Sequence, residues 1–326
     1  MGMLRRDRRA SGAVRVVEGL RVGIIGLDTS HSTAFTKSLN TAQSASEFLG
    51  YRVVAAYPQG SLDIKSSVDR IPGYTRDLQQ LGVEIVGSVE DLLTKVDVVL
   101  LETNDGRRHL EQALTVLKAG KRMFIDKPMS ASLADTMAIF EASRKYGVPI
   151  FSSSSLRYIS GAREIRGGKI GKVLGADTYS PAPIERTHPD LFWYGIHGVE
   201  TLFTVMGTGC KSVMRAFTDQ TDVVVGRWTD DRIGTFRGIR SGKSNYGGTV
   251  FGETGIEVLG AYAGYDPLLK EIVGFFSSGI PPVKEEETRE IFAFMDAADE
   301  SKRNGGASVE LETVLRRARR EMAVGV

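Results

Sequence analysis

The sequence is poor in cysteine and in long apolar runs, and its charge is nearly balanced. The single cysteine, Cys210, excludes an intramolecular disulfide and leaves no thiolate cluster for a structural zinc; no metal centre is expected. No stretch approaches the roughly 18 consecutive apolar residues of a membrane span. The first 20 residues, MGMLRRDRRASGAVRVVEGL, carry paired arginines with no apolar segment behind them, which argues against a secretory signal. They read as a flexible basic leader, and the protein is expected to be cytoplasmic. A formal net charge of +2 gives no reason to expect nucleic acid or an anionic membrane as a partner. What the chain does have is length: 326 residues exceed the usual single core, so two domains are the default.

Over residues 21–151, short apolar runs (22–25, 53–57, 83–86, 96–101, 123–125 and 148–151) alternate with helical patterns. Near-continuous apolar strands suit a sheet covered on both faces. In HLEQALTVLKAGK, Leu110, Ala113, Leu114 and Leu117 recur at helical spacing, and Gly120 stands where a left-handed C-terminal cap belongs. This rhythm predicts a Rossmann-type, doubly wound parallel sheet as the first domain. Over 152–326 the segments KVLGADTYS, KSVMRAFTD, TDVVVGRWTD, DRIGTFRGIR and GGTVFGETGIEVLGAYAG read as strands broken by Gly, Asp and Asn turns. One helix, GIHGVETLFTVMG, interrupts them, and two more close the chain around 288–304 and 312–323. The expected fold is α/β. Its second domain is α+β with an open, mostly antiparallel sheet, and its closing helices pack back on the first domain.

The first strand runs into the stretch RVGIIGLDTSH. Gly26 suits a phosphate-binding turn, yet Asp28 and His31 stand where a G-x-G-x-x-G fingerprint carries its other glycines. A carboxylate about 4 Å from a pyrophosphate is repelled by several kcal/mol at an intermediate dielectric. Two arrangements stay open. In one, Asp28, Thr29 or Ser30 caps the helix and uses the N–H groups a phosphate needs. In the other, Asp28 turns away and the pyrophosphate is held at the helix N-terminus by the Gly26–Leu27 turn and the hydroxyls of Thr29, Ser30 and Ser32. His31 then adds a positive edge. The second strand ends in Tyr57, Pro58 and Gln59, where a ribose-binding acid is expected. Tyr57 offers a platform for adenine and Gln59 a partner for a ribose hydroxyl. Without the acid, NAD and NADP are not distinguished.

These features, in order along nearly the whole chain, give it a resemblance to a known family. VGIIGLDTSH, DVVLLETNDGRRHLEQALTVLKAGK, FIDKPMSASLADT, SSSSLRY, GGKIGKV, YGIHGVETLFTVMG and SSGIPPV…AFMDAADESKRNGG together resemble the Gfo/Idh/MocA oxidoreductases, NAD(P)-dependent enzymes acting mainly on sugars and polyols. The resemblance implies a cofactor, NAD or NADP, on the first domain and a substrate site against the second domain's sheet. It also implies a homo-oligomer, a dimer or tetramer, built through that sheet. By the same resemblance, Thr103 and Asn104 line the cofactor, His109 caps the next helix, and DKP is the family's E-K-P segment with Asp126 for glutamate. Lys127 then lies at the nicotinamide. A lysine at the carboxyl end of a buried parallel strand also calls for a reason of its own.

His197 matches the histidine of the family's D-x-G-x-H, but Trp193 stands at the aspartate position. The proton route therefore falls on His197 and Lys127, or on a carboxylate such as Asp190 or Glu200. Arg157 holds a substrate oxygen or an interdomain ion pair. His188, Trp193 and Tyr194 are candidate substrate contacts, with core packing or exposure as the alternative. The function implied is hydride transfer between a nicotinamide cofactor and the hydroxyl or keto group of a sugar, polyol or related small molecule. The alternatives are a sugar-binding or regulatory protein that has lost turnover, and a lyase or epimerase using a tightly held NAD.

Overall fold

The structure, a computed structural model, describes residues 19–41 and 47–324. The leader expected over residues 1–20 falls, except for its last two residues, outside the described residues. Strands β1 (Arg21–Ile25), β2 (Arg52–Tyr57), β3 (Glu84–Ile85), β4 (Val98–Leu101), β5 (Arg122–Ile125) and β6 (Ile150–Ser152) make one sheet. All its pairings are parallel and its order is β3-β2-β1-β4-β5-β6. Helices α1 (Ser30–Asn40), α2 (Lys65–Gln80), α3 (Val89–Lys95), α4 (His109–Lys118) and α5 (Leu133–Tyr146) connect the strands. Every residue of β4 is buried, as strands with helices on both faces require. The Ser88 and Ser132 hydroxyls cap α3 and α5 by accepting the N–H of Asp91 and Asp135. Gly120, at φ +69°, takes the left-handed conformation expected after α4.

The second sheet holds β7 (Val173–Pro181), β8 (Cys210–Phe217), β9 (Thr221–Trp228), β10 (Ile233–Ile239), β11 (Gly247–Gly252), β12 (Ile256–Val258) and β13 (Val309–Glu310). Its order is β12-β11-β7-β10-β9-β8-β13, antiparallel throughout except for the parallel pair β7 and β10. Helices α6 (Ala162–Arg166), α7 (Asp190–Trp193), α8 (Ile196–Met206), α9 (Asp266–Ser278), α10 (Glu285–Arg303) and α11 (Leu311–Val324) complete the chain. Every residue of α8 is buried, and the helix packs against β7 and β10.

Helix α9 is absent from the sequence reading. Its stripe of Leu268, Leu269, Ile272, Val273, Phe275 and Phe276 packs against Val22, Ile24 and Phe35, closing one face of the N-terminal sheet. The signal was present: apolar residues at helical spacing, Pro267 in the first turn and Gly279 in a left-handed cap. Helices α10 and α11 lie against α5. No described helix is long and apolar enough to cross a membrane. The strand order reverses between β1 and β4. The loops after β1, β4 and β5 therefore converge at one crevice outside the carboxyl ends of the strands.

Candidate active site

Lys127 follows β5 and His197 lies in the first turn of α8, yet the two line one cavity. Thr29, Ser30 and His31 from the start of α1 line it too, with Tyr194, Tyr246, Tyr262 and Tyr265. A second hollow, lined by Asn104, Pro128 and Trp193, shares Thr29, Arg70, Lys127 and Tyr194 with the first. Among the described residues Lys127 Nζ has no hydrogen-bond or ion-pair partner, and it sits 6.0 Å from the centre of the Tyr194 ring. His197 Nδ1 pairs with Ser154 Oγ at 2.6 Å, and Tyr194 meets the imidazole edge-on at 4.7 Å. Burial, then the neighbouring Lys127 and His31, push the His197 pKa well below its usual value. The imidazole is therefore held neutral at neutral pH.

The loop after β1 settles how Asp28 is accommodated. Its Oδ2 accepts from the Ser67 hydroxyl at 2.7 Å and its Oδ1 from the backbone N–H of Asn104 at 2.9 Å. The carboxylate is fully buried and turned toward α2 and the β4 loop. Thr29 caps α1, but its hydroxyl lies a long 3.4 Å from the His31 N–H. The N-terminus of α1 thus opens into the cavity with Thr29 and Ser30 at its mouth and no carboxylate aimed into it. That arrangement fits a pyrophosphate on this helix end.

Several expected contacts are corrected. Gly26 has φ +92°, and a Cβ there would lie 2.3 Å from Thr103 N, so the backbone turn and packing against the β4 loop by themselves require the glycine. Leu27 is fully buried in the apolar core. Thr103 is also fully buried, its Oγ1 accepting from Gln112. Ser32 is buried and donates to the Thr29 carbonyl, so it faces away from the cavity. Tyr57 packs half-buried on the core, and Gln59 accepts from Gln112 at 2.7 Å. His188 is a clamp between the halves rather than a substrate contact. Its Nε2 accepts the Gly106 N–H at 3.1 Å and its Nδ1 pairs with Thr187. Arg157 is buried in ion pairs with Glu200 at 2.8 Å and Glu287 at 2.6 Å, which leaves it unavailable to a substrate. Those bonds also commit Glu200, and Arg215 and Lys302 commit Asp190, so neither carboxylate replaces the missing aspartate. Trp193 and Tyr194 remain at the crevice, the Trp193 ring tilted against His188 with centres 4.9 Å apart.

His31 is not a positive edge for phosphate. Its ring packs between Phe35 and Tyr265, at 5.3 and 4.5 Å, and its Nδ1 turns inward to Asp126 Oδ2 at 2.8 Å and Glu102 Oε2 at 3.9 Å. Asp126 is therefore a buried partner of His31 rather than an exposed cofactor contact. Burial opposes ionisation of Asp126, but His31 and Lys127 outweigh it and hold the carboxyl low. Burial and then the Asp126 charge push the Glu102 carboxyl well up. Sequence reasoning missed Glu102. The available signal was a carboxylate ending the apolar run DVVLL, which parallels the signal that singled out Lys127.

Asp28 carries a testable pH signature. Burial raises its pKa to about 6 from 3.8, against the opposing bonds from Ser67 and Asn104. The folded chain then holds a proton that the unfolded chain has released between about pH 4 and 6, so this group's contribution to stability falls as pH rises through that window. Asp28→Asn keeps the bond from the Asn104 N–H, turns the Ser67 contact into one in which the amide donates to the hydroxyl, and removes the titration. Its stability advantage over the native protein is expected to grow from near zero at about pH 4 to roughly 3 kcal/mol above pH 7, at about 1.4 kcal/mol per pKa unit. Denaturant titrations of both proteins across this range check it; a pH-independent difference contradicts it.

Comparison with known proteins agrees with this architecture. Residues 20–154 match the profile of the GFO_IDH_MocA family, described as an oxidoreductase family with an NAD-binding Rossmann fold. An inositol 2-dehydrogenase of Salmonella typhimurium is 23% identical over 215 residues, covering 63% of this chain and 60% of that protein. The chain thus spans about three-fifths of the length of these curated relatives. A 1,5-anhydro-D-fructose reductase of Ensifer adhaerens is 32% identical over 100 residues, 29% of this chain and 30% of the relative. Among solved structures, a probable dehydrogenase from Thermotoga maritima aligns with a TM-score of 0.73 at 21% identity, covering 90% of this chain and all of that one. The scyllo-inositol dehydrogenase of Lactobacillus casei, solved with NAD(H) and scyllo-inositol, aligns with a TM-score of 0.72 at 14% identity over 90% of this chain and all of that one. At these identities the structural matches speak for the fold.

Proposed function

Residues 20–154 belong to the NAD-binding Rossmann fold of the Gfo/Idh/MocA oxidoreductases, and from that premise we propose that the chain is an NAD- or NADP-dependent dehydrogenase. Its substrate class is a small polyol, sugar or related molecule bearing a secondary hydroxyl or the corresponding ketone. The observation that carries this reading is the meeting of Lys127 and His197, from different halves of the chain, in one cavity at the N-terminus of α1. When bound, the nicotinamide supplies the hydride acceptor or donor. Thr29, Ser30 and the first-turn N–H groups of α1 hold the diphosphate. Lys127, without an ion-pair partner among the described residues, fixes the reacting oxygen. The neutral His197 receives the hydroxyl proton at the ring nitrogen that Ser154 leaves free, and returns it in the reverse direction. The tyrosines supply hydroxyls and apolar ring faces suited to a polyhydroxylated ring. Polyol chemistry is supported by the names of the relatives, inositol dehydrogenases among them.

The open face of the second sheet exposes Leu174, Met214, Phe217, Ile233, Ile256 and Val258. An apolar face of that extent favours a homo-oligomer through this sheet, and a purely monomeric species in sedimentation would refute it.

The cofactor part of the proposal is tested by thermal unfolding with NAD and with NADP. A cofactor at about one hundred times its dissociation constant should stabilise the fold by about 2.7 kcal/mol, and the two arms decide between the cofactors. No stabilisation by either would count against the dehydrogenase.

A further inference from the structure

Glu102 is fully buried, and neither of its carboxylate oxygens has a hydrogen-bond partner. The same holds for both oxygens of Asp126 and for His31 Nδ1. His31 Nδ1 and Asp126 Oδ2, 2.8 Å apart, meet as an ion pair. Buried polar atoms without partners are costly and rare, so the two Glu102 oxygens and Asp126 Oδ1, beside the His31–Asp126 pair, call for an occupant. Lys127 lies near both carboxylates, but its amine forms no ion pair with either. One ligand atom from each of His31, Glu102 and Asp126 falls within 4.8 Å of the others. Atoms bound to a common ion stand at most about 4.2 Å apart, twice a bond of about 2.1 Å, so a small side-chain closure brings all three onto one centre.

We propose that His31, Glu102 and Asp126 form a binding site for a divalent transition-metal ion beside the cavity that holds Lys127 and His197. One imidazole nitrogen with two carboxylates is a donor set for Mn²⁺, Fe²⁺ or Zn²⁺; Mg²⁺ prefers oxygen and water. The three ligands come from the ends of β4 and β5 and the start of α1, elements that the strand order β1-β4-β5 makes neighbours. Three protein ligands leave positions open, and the ligand atoms are buried behind the His31 ring, which itself lines the cavity. The inference concerns the ion alone and does not depend on the dehydrogenase reading.

The test is metal occupancy. The full chain, stripped with chelator, is titrated calorimetrically with MnCl₂, ZnCl₂ and, as control, MgCl₂. One saturable Mn²⁺ or Zn²⁺ site per chain is expected, with Mg²⁺ much weaker, and Glu102→Gln should weaken binding by more than about a hundredfold. A second readout needs no variant: pulsed electron paramagnetic resonance of the Mn²⁺-loaded protein should show coupling to one imidazole nitrogen. Absence of saturable binding, equal binding by native protein and Glu102→Gln, or a bound Mn²⁺ without nitrogen coupling would each overturn the site. Because no readout is turnover, failure here leaves the dehydrogenase proposal standing, and failure of that proposal leaves the metal site standing.

Discussion

Alanine at position 127 should cost roughly 10²–10⁴-fold in kcat, the usual contribution of a positioned proton-transfer group, while binding of the nicotinamide cofactor is largely kept. The geometry separates the two effects. The diphosphate is assigned to Thr29, Ser30 and the N-terminus of α1, none of which contacts the Lys127 amine. The amine makes no hydrogen bond or ion pair among the described residues; its ties to the fold are its charge near Asp126 and Glu102 and a 6.0 Å approach to the Tyr194 ring. Its removal should therefore shift the unfolding midpoint only modestly. A steady-state comparison with cofactor affinity measured in parallel checks this. Equal loss of cofactor affinity would move Lys127 from the reaction to the binding site, and unchanged turnover would remove it from both.

The second large effect is on stability. Arg157→Ala should destabilise the chain by about 3–5 kcal/mol, the range for breaking a buried ion pair by deleting one partner. Arg157 is 7% exposed and bridges Glu200 on α8 to Glu287 on α10. Glu287 retains Arg166, but Glu200 keeps only the hydroxyl of Ser153 and the N–H of Ser154, in a site without another cation. The loss should fall largely on Glu200, so adding Glu200→Gln to Arg157→Ala should recover a substantial part of it. Ser154 also holds His197, and the arginine variant should accordingly lose some activity through a displaced imidazole. Denaturant unfolding of the single and double variants decides the matter; a loss below about 1 kcal/mol would mean that the network is not paired in solution.

The sequence disclosed the parts governed by local rules. Apolar runs alternating with helical stripes are enough for the doubly wound sheet, and Lys127 stands out at the end of a parallel strand, whereas His197 was singled out by the family resemblance. What stayed hidden was set by neighbours distant in the chain. Nothing in the spacing of residues 31, 102 and 126 announces that they meet; the strand order brings them together. Arg157 and His188 carried chemistry suited to a substrate, yet the acids and amides that claim them lie 43 to 130 residues away. Asp28 reads as an obstacle to phosphate only until Ser67, 39 residues on, and the Asn104 amide turn it away. Helix α9 was a misreading of a different kind. Its stripe was visible but followed a glycine-rich stretch that suggested more strand.

The most direct measurement is cofactor reduction by the purified chain with a panel of cyclic polyols and sugars, run beside the Lys127→Ala and His197→Ala variants. The account predicts NADH or NADPH formation with at least one member of the panel, suppressed in both variants while each still binds cofactor. Cofactor reduction that persists undiminished in both variants would contradict it.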